Sequence, residues 1–148
     1  MGTETTQSTK DRLRSLTIGR KVQFVTKVID YYPPIYKDRL DKKGNVLGVE
    51  LKGNEKESVK VEVRQPSIKV RNELIKRCMD KDGNMDNMEF MVQSAILLVY
   101  DPDSGEPLFT KEDYDSLISQ PSGGFVDQFS AEAMGLLSVE TSDENFTD

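Results

Sequence analysis

An α+β fold is what this sequence predicts: an N-terminal antiparallel β-hairpin or small sheet, followed by a C-terminal bundle of about four helices. Three observations carry that expectation. Leu47, Val49 and Leu51, then Val59, Val61 and Val63, alternate with polar residues, which is the period of a strand with one face on a core and one in water. After Pro66 the period changes, and Val70, Leu74, Ile75 and Cys78 recur at helical spacing. Finally, 148 residues that are 36% hydrophobic and 31% charged suit one polar domain with a modest core.

Met1 to about Arg14 is rich in Thr, Ser and Gln without periodicity, and disorder is expected over residues 1–14. Residues 15–138 read as a single α+β domain, with strands within about 21–64 and helices within about 66–137. A strand is expected over Val22–Ile29, with Val22, Phe24, Thr26 and Val28 on one face and Val25 and Ile29 on the other. Pro33 and Pro34 end it, since proline cannot donate to a ladder. The charged segment Ile35–Asn45 reads as a long mobile excursion closed by the turn signal Lys43-Gly-Asn45. The two alternating runs then read as a hairpin about Gly53-Asn54.

In the helical half, Pro66 suits a first turn, and Glu73 with Arg77 forms an i,i+4 pair in the favourable order. Asp86 can cap a second helix, with Glu89 in capping-box position. Its stripe is Met88, Met91, Val92, Ala95, Leu98 and Val99, although Ile96–Tyr100 also fits a strand. Thr110 opens a short third helix, with Asp113 at the third position and a possible Phe109–Tyr114 staple. Pro121-Ser-Gly-Gly124 stops it, and a fourth helix is expected from about Phe125 to Leu137. Residues 139–148 read as an acidic flexible tail.

Composition excludes much chemistry. The chain has no His, which removes the usual general base near neutral pH and every Ser-His or Cys-His pair. The single Cys78 cannot form an internal disulfide and falls on the apolar side of a helix, the setting of an inert thiol. No apolar run approaches the ~20 residues of a membrane span, and no membrane partner is expected. Lys69, Lys76 and Arg77 lack interleaved aromatics, so no nucleic-acid surface is expected. Residues 1–100 hold 19 basic and 14 acidic side chains, a balance of +5; residues 101–148 hold Lys111 against 12 acids, a balance of −11. Such a split fits a solvated acidic tail, or docking between surfaces of opposite sign.

Two acidic stretches resemble calcium loops and fail. Counted from Asp101, Asp103 and Glu112 fit, but Gly105 and Glu106 occupy the fifth and sixth positions, where a ligand and then glycine belong. In Asp80–Asp86, Met85 replaces that glycine and Met91 the closing glutamate. Both read as turns, and no metal or other cofactor is expected. Gly123-Gly124 has no Lys-Ser/Thr after it, so no phosphate loop is expected either. Met79, Met85, Met88 and Met91 gather at one inter-helix junction, where adaptable thioethers suit either a core or a promiscuous surface.

The order of features resembles the tail assembly chaperones of long-tailed bacteriophages. The stretch "LLVYDPDSGEPLFTKEDYDSL", then "SQPSGGFVDQFSAEAMGLL", follows a phrase typical of that family, with Asp101, Gly105, Leu108, Phe109, Thr110, Asp113 and Leu117 in its positions. The likeness covers about residues 46–139 and is most specific over 95–137. It implies a protein without catalytic residues that acts in the host cytoplasm. Such a chaperone coats the tape measure protein, keeps it soluble, helps recruit tail tube protein and leaves before the virion is finished. Many members exist in a longer, frameshifted form, and weak homo-oligomers are implied. The expected partner-binding groove lies among the second, third and fourth helices, near Met88, Met91, Leu117, Phe125 and Phe129. The acidic C-terminal half also supports another expectation, a small binding protein that blocks a basic surface of a nucleic-acid enzyme.

Overall fold

Two prolines and a five-residue turn organise the first half of the chain. The computed structural model describes residues 8–137. Strand β1 (Thr26–Tyr31) stops before Pro33-Pro34, and the chain resumes as β2 (Pro34–Leu40). It turns at Asp41–Asn45, returns as β3 (Val46–Asn54), breaks at 55–58 and continues as β4 (Val59–Arg64). β1 pairs antiparallel with β4, from Thr26 opposite Arg64 to Tyr31 opposite Val59, while β2 pairs with β3. The four strands thus form one long ribbon bent in the middle. At the bend, the Glu55 N–H donates to the Pro33 carbonyl at 2.8 Å and the Asn54 amide to the Tyr32 carbonyl at 3.0 Å.

This pairing corrects three sequence expectations. The hairpin about Gly53-Asn54 does not form: Gly53 lies inside β3 opposite Ile35. Ile35–Leu40 is a strand and not a mobile excursion. The turn that wins is Asp41–Asn45, where the Asp41 carboxylate accepts the N–H groups of Lys43 and Asn45, both at 2.8 Å, and Gly44 supplies φ +84°. Thirdly, β1 begins at Thr26 rather than Val22, and its inward residues are Ile29 and Tyr31, while Val28 is exposed.

The expected disorder over residues 1–14 is also corrected where the chain is described, because α1 (Thr9–Leu16) is helical. Ser8 caps it by accepting the Asp11 N–H at 3.1 Å, and Asp11 and Arg14 sit at the dipole ends that favour their charges. None of its residues is buried. Residues 1–7 and the tail expected at 139–148 lie outside the described residues.

The helical half follows its signals closely. α2 (Ile68–Cys78) is capped by Ser67, so Pro66 precedes the cap rather than lying in the first turn, and α3 (Asn87–Leu98) is capped by Asp86. The apolar run at the end of α3 divides: Leu98 closes the helix, and Val99–Tyr100 becomes β5, paired with β4. A 3-10 turn (Lys111–Asp113) with the full Thr110–Asp113 capping box leads into α4 (Tyr114–Ile118). α5 spans Phe125–Leu137, the limits the sequence suggested. Among the described residues the fold is α+β, with five α-helices and two small antiparallel sheets, ordered β1-β4-β5 and β2-β3.

One face of the three-stranded sheet holds the core. Val61, Val63 and Val99 meet Leu74 and Cys78 of α2, Leu98 of α3 and Phe129, Ala133 and Leu136 of α5. A second cluster, Val92, Ile96, Leu117 and Val126, joins α3, α4 and α5. An aromatic group ties the sheet to α5: Tyr31 lies edge-on to Phe129 at 5.3 Å, and Phe109 stacks on Phe125 at 5.7 Å.

Asp41-Lys-Lys-Gly-Asn45 recurs as Asp80-Lys-Asp-Gly-Asn84, and the two turns share one design. In the second, Asp80 accepts the Asp82 and Asn84 N–H groups, Gly83 has φ +81°, and Met79 pairs with Met85 across the turn. Asp101 builds a third, accepting from the Asp103 N–H at 2.9 Å and the Ser104 hydroxyl at 3.0 Å. These donors hold the Asp101 carboxyl below its usual 3.8, and those of Asn45, Lys43 and Gly44 do the same for Asp41. A carboxyl depressed in the folded state adds stability above its unfolded pKa, which is lost as pH falls through the lower folded value. A series of urea midpoints against pH therefore drops below about pH 4. Replacing both Asp41 and Asp101 by asparagine flattens that limb.

Candidate functional site

Two acids of the first calcium-like stretch already have partners within the chain. Asp101 is occupied by its own turn, and Glu112 accepts the Thr110 hydroxyl at 2.6 Å, which lowers its pKa. Among the described residues no group of three or more potential ligands could hold a metal ion. Cys78 is buried, and desolvation pushes its thiol up to about 11, so little thiolate forms near neutral pH. No helix among the described residues is long and apolar enough to cross a membrane.

What the surface offers is apolar. The five expected partner-binding residues divide into two groups. Met88, Met91 and Leu117 come together with Ile118, Pro121 and Val126 around a shallow groove of about 170 Å³ between α3, α4 and the start of α5. Met88 is 48% exposed, whereas Leu117, at 4%, forms the floor. Phe129 points elsewhere, into the aromatic group with Tyr31 and Phe109, while Phe125 joins that group and also packs against the cluster of Leu117 and Val126 beneath the groove. Phe129 is 3% exposed and Phe125 half-buried. Phe129 is therefore core, and Val126, one position after Phe125, takes the place at the groove that the two phenylalanines were expected to fill. Helical periodicity gives a stripe but not its partner, and α5 is buried on two sides.

Sequence reasoning missed a second surface. A cleft of about 560 Å³ opens where the β2–β3 arm leaves the sheet, lined by Tyr31, Tyr32, Tyr36 and Leu51 opposite Pro121–Gly124 and Gln128. Asp30, at its edge, is paired with Lys60 at 2.6 Å, which lowers the carboxyl pKa and raises that of the amine. The signal was present in Tyr31-Tyr-Pro-Pro34 followed by Tyr36, but it is readable only once residues 35–40 are known to be a strand.

No family model, characterised protein or solved structure matches the chain. Its own surfaces describe it: a small α+β protein with a methionine-lined groove and a tyrosine-lined cleft among the described residues.

Proposed function

We propose that this protein is a tail assembly chaperone of long-tailed bacteriophages. In this reading it binds and solubilises the tape measure protein, helps recruit tail tube protein and leaves before the virion is complete. The observation that carries the reading is the methionine groove between α3, α4 and α5, formed by the same stretch of chain that resembles the family. Met88 and Met91 are flexible and polarisable, so they adapt to successive, non-identical turns of a long apolar helix. Each such contact is weak, and many weakly associated copies along one client hold it by avidity. Weak contacts also permit displacement when tube subunits compete. The excess of acid in the C-terminal half keeps the coated assembly soluble.

The test is a tagged pull-down from infected or induced cells, read by mass spectrometry. A very long, helical phage protein is expected with the chaperone; a polymerase, nuclease or repressor in its place overturns the reading in favour of an acidic binding protein. A companion experiment co-expresses the client with the double variant Met88→Glu, Met91→Glu. Met88 is exposed and Met91 half-buried against the second cluster, so circular dichroism first establishes that the variant is folded, and client solubility is then expected to fall about tenfold or more. Unchanged solubility sinks the groove assignment.

A further inference from the structure

The arm formed by β2 and β3 has the residue pattern of a half-buried sheet, yet its apolar half stays largely open among the described residues, with only Tyr36 and Leu51 bordering the cleft toward Pro121–Gly124. The register places Tyr36 opposite Leu51, Asp38 opposite Val49 and Leu40 opposite Val46 on one face, with Leu47 beside them at a bulge. The other face carries Lys37 and Glu50, paired at 3.3 Å. Tyr36, Leu40, Val46, Leu47, Val49 and Leu51 are all between 52% and 62% exposed. Alternation of this kind stabilises a sheet only when something dry lies over the apolar side, and a two-stranded hairpin alone in water is marginal.

We infer that a second copy of this chain covers this face, the two arms stacking apolar side on apolar side about a two-fold axis. Two hairpins then make a four-stranded, two-layer unit with the ~10 Å spacing of packed sheets. Six half-exposed side chains offer on the order of 500–600 Å² per copy, hence roughly 1,000–1,200 Å² per pair. That lies at the lower bound for a specific interface, so the dimer is weak and concentration-dependent. Charge opposes this contact only weakly. Residues 34–54 carry five basic and three acidic side chains, whereas residues 101–137 carry eight acids against Lys111. Arms therefore approach each other against far less repulsion than acidic bodies do. Asp38 is the one charge on the face, and its desolvation opposes pairing.

The proposed function includes self-association, and this inference rests on that reading only for the expectation that copies meet along a client. The interface is tested on the purified full chain alone, so its failure leaves client binding untouched. Sedimentation equilibrium should show a monomer–dimer equilibrium. Leu47→Lys with Val49→Lys abolishes it, leaving the circular dichroism spectrum unchanged because both side chains are exposed in the monomer. Asp38→Asn tightens the dimer about tenfold, and Ile68→Lys, at an exposed site on α2, leaves it unaltered. Val49→Cys gives a disulfide-linked dimer on mild oxidation, a reaction in which the buried Cys78 does not compete. A chain that stays monomeric at every concentration overturns the inference, as does a dimer that survives the double lysine variant.

Discussion

Phe129→Ala lowers the free energy of unfolding by about 3–5 kcal/mol, the cost of emptying a large aromatic site in a packed core. Phe129 is almost fully enclosed, with Tyr31 edge-on at 5.3 Å, Phe125 at 5.7 Å and Phe109 at 6.4 Å between ring centres. It also belongs to the cluster joining α5 to Val61, Val63 and Val99 of the sheet. Truncation removes the centre of that group, and rings held from three elements cannot close over the void without moving a strand or a helix. Against a total stability of about 5–15 kcal/mol, this removes a large share of what holds the fold together. Chemical denaturation of both chains measures it. A loss below about 1 kcal/mol would mean that Phe129 lies at a surface, as the sequence reading had it, and that the aromatic group is not part of the core.

The contrast between Phe129 and Met88 shows where sequence reading works. Helix limits were legible where their signals are local: Asp86 accepts the Glu89 N–H, the Asp113 carboxylate accepts the Thr110 N–H, and Pro121–Gly124 ends a segment by backbone geometry alone. Which side of a helix meets what is not local. α5 turns Phe129 to the sheet and Val126 to α3 and α4, so its apolar residues serve two cores, and neither is marked as such in the sequence.

Strand pairing was harder for the same reason. β3 and β4 are neighbours in sequence with matching alternation, and adjacency argued for a hairpin between them. The outcome turned on Asp41, whose carboxylate organises a tighter turn than Gly53-Asn54 could. The phrase Asp-Lys-x-Gly-Asn occurs twice in the chain and closes a β-turn both times. Reading that repeat as one structural unit would have located the arm, and with it the methionine loop between α2 and α3.

Val63→Asp costs more than about 4 kcal/mol, whereas Val49→Asp changes monomer stability by no more than about 0.5 kcal/mol. The two valines occupy equivalent places in equivalent alternating runs. Val63, however, is 0% exposed, opposite Lys27 on one side and Val99 on the other in the central strand. A carboxylate there loses its water and gains no hydrogen-bond partner from Leu74, Cys78 or Phe129 across the core. Val49 is 61% exposed on the arm, and its carboxylate variant remains hydrated. Thermal unfolding at concentrations too dilute for pairing isolates this comparison from dimer formation. The asymmetry has a functional consequence: selection for folding alone keeps Val63 apolar but leaves position 49 free. An apolar Val49, in line with Leu47 and Leu51, is therefore explained by what the arm contacts outside its own chain. Equal losses for the two variants would instead place the arm's apolar face against the body of the monomer.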